Sequence, residues 1–138
     1  MIVVDTNVWS EPIRKEPEPA VVAWLTAHRD EVAITTVTIG ELLYGLALLP
    51  DGRRKDGLGQ QIERLIASAE ARTCPYDVAA ARAFAAIKAK RRQAGCEVTK
   101  PEDAMIAAIA ASRGCAVATR NVHDFEAMGV ELINPWYD

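Results

Sequence analysis

Short apolar runs alternate with segments of helical periodicity along this 138-residue chain. The runs that predict strands are Ile2–Val4, Val32–Thr35, 72–75, 115–118 and 130–133. Strands that alternate with helices favour a parallel sheet covered by helices on both faces. Because neither a linker nor an internal repeat interrupts the pattern, we predict one α/β domain over residues 1–138.

The segments between these runs predict helices. One is expected after Pro19, burying Val22, Trp24 and Leu25. The stretch 51–59, DGRRKDGLG, is rich in glycine and charge and therefore predicts a loop. Further helices are expected at 37–49, 62–71, 78–90 and 99–113, with Pro50, Gly95 and Gly114 as stop signals.

Composition restricts the class of protein. Half of the residues are hydrophobic and a quarter are charged, which is typical of globular domains. The odd number of cysteines, three, argues against a disulfide framework and favours a reducing cytoplasm. No segment has the pattern of a membrane span or a signal peptide. We therefore expect a cytoplasmic protein that does not associate with membranes.

The formal net charge of −3 excludes a general polycation. Any contact with nucleic acid has to come from local basic clusters. Each cluster has a plainer explanation as solvated surface, and cations in the last turns of a helix also favour the helix dipole. The clusters are Arg14 with Lys15, Arg53 to Lys55, Lys88 to Arg92, and Arg120.

Acidic residues follow several predicted strands at the edge where open parallel sheets bind ligands. Asp5 directly follows the first strand, and Glu41 lies in the helix after the second. Asp103 begins a later helix, and Asp124 follows the fourth strand. For Asp5, the structural alternative is that Asp5 or Thr6 caps the next helix.

Two of these acids are expected to lie beside small residues. Glu41 is interpreted as an acid of a first helical turn, and Gly45, one turn later, leaves space beside it. Asp103 stands at the edge of an alanine stripe. Its neighbour Glu102 is assigned to a capping box with Thr99 instead.

Carboxylates gathered at one rim repel one another unless cations hold them together. Mg²⁺ and Mn²⁺ prefer carboxylate oxygen and water as ligands. His28 and His123 are the only histidines, so a zinc site is not expected. The pattern therefore favours a site for a hard divalent cation.

Four motifs occur in order across nearly the whole chain: DTNVWSEP (5–12), TIGELLYG (38–45), PEDAMIAAIA (101–110) and ATRNVHDF (118–125). Together they resemble the PIN-domain ribonucleases of bacterial type II toxin-antitoxin pairs, the VapC type. The opening motif and the closing INPW (133–136) are most similar to the FitB branch. The resemblance implies a PIN-like three-layer α/β/α sandwich with a five-stranded parallel sheet.

The resemblance also implies an activity, a cofactor and partners. These are cleavage of RNA that depends on one or two Mg²⁺ or Mn²⁺ ions, a small DNA-binding antitoxin that blocks the site, and a homodimer. The first three family acids fall on Asp5, Glu41 and Asp103. The fourth falls on Asp124 or on Asn121, because family members differ there, and we favour Asp124.

The implied chemistry assigns a role to each acid. Asp5 and Asp103 are the expected direct metal ligands. Glu41 would bind a second metal or take a proton from water, and Asp124 would hold metal through water. The side chains expected to support them, by ordering water or as a weaker oxygen donor, are Asn7, Thr119 and Asn121, and Thr6 is expected to support Asp5 together with Asn7.

The resemblance also gives the basic clusters a role, because an acidic pocket repels RNA unless cations offset its charge. The pocket would attract an arginine of the antitoxin. The apolar segments around Trp24 and Leu46 to Leu49 would offer a partner groove unless they belong to the core. The expected RNA contacts are Arg53, Arg54, Lys88, Arg91, Arg92 and Arg120.

Two other functions are alternatives. A phosphoacceptor domain of the receiver or haloacid-phosphatase kind also has an acid after its first strand, but the phosphatase pattern requires a second aspartate where this chain has Asn7. The pair Lys100 and Pro101 resembles that of receivers, yet here it precedes the helix of Asp103. The second alternative is a catalytically silent PIN-fold module that sequesters a partner or RNA.

Overall fold

Five short strands form one parallel sheet in the computed structural model, which describes residues 1–138. The central strand β1 pairs with β2 and β4, and Ile2 lies opposite Val32 and Ala116. The strand order is β3-β2-β1-β4-β5, and all pairs are parallel. The strands are β1 Ile2–Val4, β2 Val32–Thr35, β3 Thr73–Cys74, β4 Ala116–Ala118 and β5 Leu132–Ile133.

Seven α-helices connect the strands. Two short 3₁₀ turns, Glu11–Ile13 and Glu70–Arg72, extend the chain after the first and fourth helices. The helices are α1 Thr6–Ser10, α2 Pro19–Ala27, α3 Thr36–Ala47, α4 Arg53–Ser68, α5 Val78–Gln93, α6 Pro101–Ser112 and α7 Val122–Phe125.

Helices cover both faces of the sheet because successive side chains of a strand point to opposite sides. Val4 packs in a core cluster that takes residues from α1, α2, α3 and α4. Val3 packs in a second cluster, with residues of α5, α6 and α7. The predicted three-layer α/β/α sandwich is therefore confirmed.

The prediction of a loop over 51–59 was wrong for most of that stretch, because α4 begins at Arg53. Gly52, with φ +149°, ends the preceding turn and serves as the N-cap. Gly59 lies inside the helix, where an added Cβ would come within 3.4 Å of a methyl group of Leu46 on α3. A glycine that suggested a loop therefore lies inside a helix, beside a side chain of the neighbouring helix.

The predicted capping box of Thr99 and Glu102 was also wrong. Helix α6 starts at Pro101, so Lys100 is the N-cap, and its side chain makes no capping hydrogen bond. Proline at the first helical position has a suitable φ and no N–H to satisfy, which moves the start by one residue. Glu102 is therefore the second helical residue and is exposed.

Smaller differences concern element ends and burial. Helix α2 buries Val21 and Trp24, whereas Val22 and Leu25 are only half-buried. Helix α5 continues to Gln93. No helix has both the length and the apolar character that crossing a bilayer requires.

Candidate active site

Asp5 stands at the carboxyl end of the central strand, and its two carboxylate oxygens have different partners. Oδ1 accepts a hydrogen bond from the Thr6 backbone N–H at 2.8 Å, and Asp5 is the N-cap of α1. Oδ2 accepts one from the Thr119 hydroxyl at 2.8 Å. The side chain is only 4% exposed. Asp5 therefore both caps a helix and belongs to the acidic cluster.

Glu41 reaches the same edge from α3. Its Oε1 accepts a hydrogen bond from the Thr6 hydroxyl at 2.7 Å, and that hydroxyl also lies 2.9 Å from the Thr38 hydroxyl. Glu41 is the sixth residue of α3, so its assignment to the first helical turn was wrong. As predicted, Gly45 leaves open space, with no atom within 4 Å of an added Cβ.

Asp103 and Asp124 line one small cavity at this edge, together with Lys100 and Arg91. Asp103 is the third residue of α6, and Asp124 is the third residue of the short helix α7. Asn121 does not line that cavity, and its side chain is exposed. The geometry therefore favours Asp124 over Asn121 for the fourth acidic position.

Thr119 and Asn121 follow β4, and Asn7 reaches the same loop from α1. The Thr119 hydroxyl is fully buried and also accepts a hydrogen bond from the Asn121 backbone N–H at 3.0 Å. The Asn7 side-chain oxygen accepts one from the Arg120 backbone N–H at 3.3 Å. Thr119 thus contacts an acid directly, whereas Asn7 and Asn121 hold the loop that follows Thr119.

The pKa values show that the four acids share one electrostatic environment. Burial raises the pKa of Asp5 despite hydrogen bonds from Thr119 and Thr6. Burial also raises the pKa of Glu41. Burial, followed by the negative charge of Asp5, raises the pKa of Asp103 to about 6. The charge of Asp124 contributes to the raised values at Asp5 and Asp103.

No ion pair compensates this cluster. None of the four carboxylates lies within 4.0 Å of a basic nitrogen in the ion pairs of the structure. The positive charge of Lys100 partly offsets the rise in the pKa values of Asp5, Glu41 and Asp103. Glu102, which the sequence assigned to a cap, instead adds negative charge near Glu41.

The chemistry of the donors fits a hard divalent cation, since all four groups offer oxygen. Neither histidine joins them, because His28 stacks on Trp24 and His123 is exposed. No group of three or more such side chains is already arranged as a metal-ligand set. The site therefore supplies negative charge and oxygen donors for a cation. The carboxylate side chains have to change conformation before three of them can bind one ion.

A groove adjoins Glu41 and runs between the turn after α1, helix α3 and helix α4. Its apolar lining includes Ile13, Leu46 and Leu58. Four cations also line it, namely Arg14, Lys15, Arg53 and Arg54.

Two residues have roles that the sequence did not decide. Arg14 forms an ion pair with the buried Glu11 at 2.9 Å, which fixes its position on the groove wall. Trp24, for which the sequence left a groove and the core as alternatives, belongs to the core.

The other predicted RNA contacts do not line this groove. Lys88 lies over the Phe84 ring, 5.7 Å from its centroid, and Arg120 lies over the Trp136 ring at 5.0 Å. Arg92 pairs with Glu97 at 3.4 Å on the surface. Only Arg53 and Arg54 of the predicted set share a groove with Glu41.

Sequence reasoning missed Lys100 as a member of the site, whereas Thr6 was expected to support Asp5. Thr6 joins Glu41 to the helix that Asp5 caps. Lys100 supplies positive charge that acts on three acids. Its sequence position three residues before Asp103 was the available signal.

The sheet order, the two helical layers and the acids at the carboxyl edge are those of a PIN-like α/β protein. Residues 2–130 match the family described as PIN domain. The chain therefore belongs to the PIN-domain family.

Individual proteins agree with this assignment. VapC ribonuclease Y4jK of Sinorhizobium fredii is 41% identical over 99% of this chain and 98% of its own length. Toxin FitB of Neisseria gonorrhoeae is 39% identical over the whole of both chains. The crystal structure of FitAcB from the same organism contains a chain with a TM-score of 0.93, 36% identity and complete coverage of both chains. The resemblance to VapC and FitB proteins is confirmed.

Proposed function

We propose that this protein is a divalent-cation-dependent endoribonuclease and the toxin of a type II toxin-antitoxin pair. The observation that carries the proposal is the convergence of Asp5, Glu41, Asp103 and Asp124 at one edge of the sheet. Three of them have raised pKa values, and none has an ion-pair partner. The relationship to a VapC ribonuclease and to Toxin FitB supports the same activity.

Asp5 and Asp103 would hold the Mg²⁺ or Mn²⁺ ion, with Asp124 beside them and Glu41 available for a second ion. When bound, the cation would activate water and neutralise charge that develops on the phosphoryl oxygens. The Thr119 hydroxyl keeps Asp5 in place through Oδ2.

Glu41 is suited to take a proton from water. Its Oε1 is occupied by the Thr6 hydroxyl, so Oε2 is the oxygen free to accept the proton. Burial raises the pKa of Glu41, which improves a carboxylate as a base.

The groove beside Glu41 would bind the RNA backbone. Arg53 and Arg54 face it from α4, opposite Arg14 and Lys15. Positive side chains along such a path offset the repulsion between phosphates and the acidic cluster. Variants of Arg53 and Arg54 are therefore expected to weaken RNA binding in a salt-dependent way.

The same groove would bind an antitoxin. One chain in the crystal structure of VapBC-5, a toxin-antitoxin system from Mycobacterium tuberculosis, is 29% identical over 96% of both chains, with a TM-score of 0.70. A segment with apolar side chains would fit Ile13, Leu46 and Leu58, and a basic residue would reach Glu41 by charge-assisted pairing. Antitoxin and RNA would then exclude each other because they occupy the same surface.

A homodimer is part of the proposal. Helix α3 exposes Leu43 and Tyr44, and Leu48 is exposed directly after it; Tyr44 and Leu48 are each 67% exposed. Exposed apolar side chains close together are typical of an interface. Sedimentation of the wild-type protein and of Tyr44→Glu would test it: the variant should be a monomer, and a dimer in both would place the interface elsewhere.

The central experiment is cleavage of total RNA by the purified protein, with the ends mapped. Cleavage should require added Mg²⁺ or Mn²⁺ and stop with EDTA. Asp5→Asn and Asp103→Asn should abolish it while circular dichroism stays unchanged. Glu63→Gln, which removes an equal charge from an exposed position on α4, is the matched control. Full activity without metal, or unchanged activity in both site variants, would contradict the mechanism.

The same assay separates the alternatives. A silent PIN-fold module would bind RNA or a partner without cleaving RNA at any cation concentration. A phosphoacceptor domain would instead become labelled at Asp5 by a small phosphodonor.

A further inference from the structure

Arg91 was predicted to contact RNA, but its side chain is engaged with the protein itself. Its Nε–H donates to the Cys96 carbonyl at 2.9 Å. Its Nη1 donates to the carbonyl of Glu126, the residue after helix α7. The side chain thus connects the end of α5, the loop before α6 and the end of α7.

The backbone around Arg91 is also fixed. Gly95, with φ +76°, donates its N–H to the Arg92 carbonyl at 3.1 Å, and the Cys96 N–H donates to the Arg91 carbonyl at 2.8 Å. This pair of bonds is a Schellman motif at the end of α5. Arg91 therefore contacts Cys96 through both its main chain and its side chain, which makes it a rigid attachment point.

The segment that Arg91 holds is not stable by itself. Helix α7 has four residues, and a helix so short depends on tertiary contacts. Ala127 follows with φ +60°, the one non-glycine residue in the left-handed region. That conformation is disfavoured for a non-glycine residue because its Cβ crowds the following carbonyl oxygen. The buried side chains of Phe125 and Met128 flank this turn. Arg91 donates to the carbonyl of Glu126, which lies between these two residues in the sequence.

We propose that Arg91 is a positioning residue for Asp124, which it holds beside Asp103 through the Glu126 carbonyl. The inference rests on the proposed function in that both acids belong to the reactive site. Arg91, Asp103 and Asp124 line the same cavity. Removal of Arg91 releases the turn that carries Asp124, while the hydrophobic core stays intact.

Hydrogen exchange measures the positioning without RNA. Arg91→Ala should speed deuterium uptake in residues 121–128, whereas Arg92→Ala should not. Arg92 is the matched control because it is next to Arg91 in the sequence and its guanidinium pairs only with the exposed Glu97. Unchanged exchange in Arg91→Ala would overturn the proposal, whatever the protein does to RNA.

Kinetics separate positioning from RNA contact. Loss of a group that orients a metal ligand typically reduces activity about 10- to 100-fold. Arg91→Ala should therefore lower kcat by that factor with KM for RNA unchanged. A raised KM at unchanged kcat would show that Arg91 binds RNA and would refute the assignment. If the wild-type protein cleaves no RNA, the exchange experiment still decides the role of Arg91.

Arg91→Lys provides a second variant in case the alanine variant unfolds. Lysine keeps the charge but lacks the planar fork that spans two carbonyls. Positioning predicts that Arg91→Lys resembles Arg91→Ala in kcat and in exchange. Wild-type behaviour of Arg91→Lys in both measurements would mean that charge alone matters, and the proposal would fail.

Discussion

Asp103→Asn is expected to stabilise the metal-free protein, although it removes a residue of the candidate active site. Asp103 is half-buried in the neighbourhood of Asp5, Asp124 and Glu41, and burial and these charges raise its pKa from 3.8 to about 6. Above that pH the folded protein has to hold an ionised carboxylate in a site that disfavours it. Asparagine has a similar shape and no charge, so the penalty disappears.

The size of the effect follows from the pKa. A rise from 3.8 to about 6 corresponds to about 3 kcal/mol, at about 1.4 kcal/mol per pH unit. Asp103 is partly exposed, so solvent screening reduces the expected gain to about 1 to 1.5 kcal/mol near pH 7.5. This amounts to roughly a tenth of the stability of a typical domain.

The pH dependence identifies the cause. Between about pH 4 and pH 6 the folded state binds more protons at Asp103 than the unfolded state does, so wild-type stability falls as the pH rises. Below about pH 4 both states are protonated and the gain from Asp103→Asn vanishes. Glu63→Gln, at an exposed position, removes the same formal charge and is the control.

Urea unfolding in EDTA at several pH values measures these differences. Adding Mg²⁺ at about 100 times its dissociation constant should then stabilise the wild-type protein by about 2.7 kcal/mol, and Asp103→Asn by less. The reasoning is refuted if Asp103→Asn is less stable than wild type near neutral pH in EDTA, or if its advantage persists at acidic pH.

Three further variants test local features. Thr119→Val removes the buried hydroxyl that bonds to Asp5 and Asn121, so unfolding should become easier by about 1 to 3 kcal/mol in urea, and wild-type stability would contradict the bond. Gly45→Ala adds a methyl group to open space in α3 and should raise the unfolding free energy by about 0.5 to 1 kcal/mol. A lower unfolding free energy would contradict the open space beside Gly45. Gly114→Ala places a Cβ at φ +66° and should lower the melting temperature, with a cost of about 1 kcal/mol.

The sheet and most helices could be predicted because burial leaves a direct record in the sequence. Ile2–Val4 and Val32–Thr35 appear as apolar runs since a central parallel strand has no solvent-facing side. The sequence predicted only the part of helix α4 that starts at Ile62, because the glycines before it indicate a loop in a local pattern. Gly59 lies inside the helix beside Leu46, and packing partners distant in sequence are not visible in a local pattern. The capping box failed because Pro101 determines the helix start.

The candidate site could be predicted as a set of acids, but not in its details. The sequence left Asp124 and Asn121 open because the difference lies in how a four-residue helix is oriented by its surroundings. Arg91 looked like a free cation, since hydrogen bonds to distant carbonyls leave no trace in composition. Lys100 was overlooked because its charge acts on the carboxylates only through its position as the N-cap of α6, and the sequence placed the start of that helix one residue earlier.

Asp5 shows why capping and catalysis are not competing interpretations of an acid at a strand end. The cap uses Oδ1, and the bond from Thr119 uses Oδ2. A carboxylate oxygen can accept about two hydrogen bonds, so each oxygen keeps capacity toward a cation. An alanine at position 5 would remove the cap and the acid together. Asparagine keeps an oxygen for the Thr6 N–H and removes the charge, and the Thr119 hydroxyl can accept from its amide group. Asp5→Asn is therefore the variant that separates the two roles of this side chain: the fold should survive and cation-dependent activity should not.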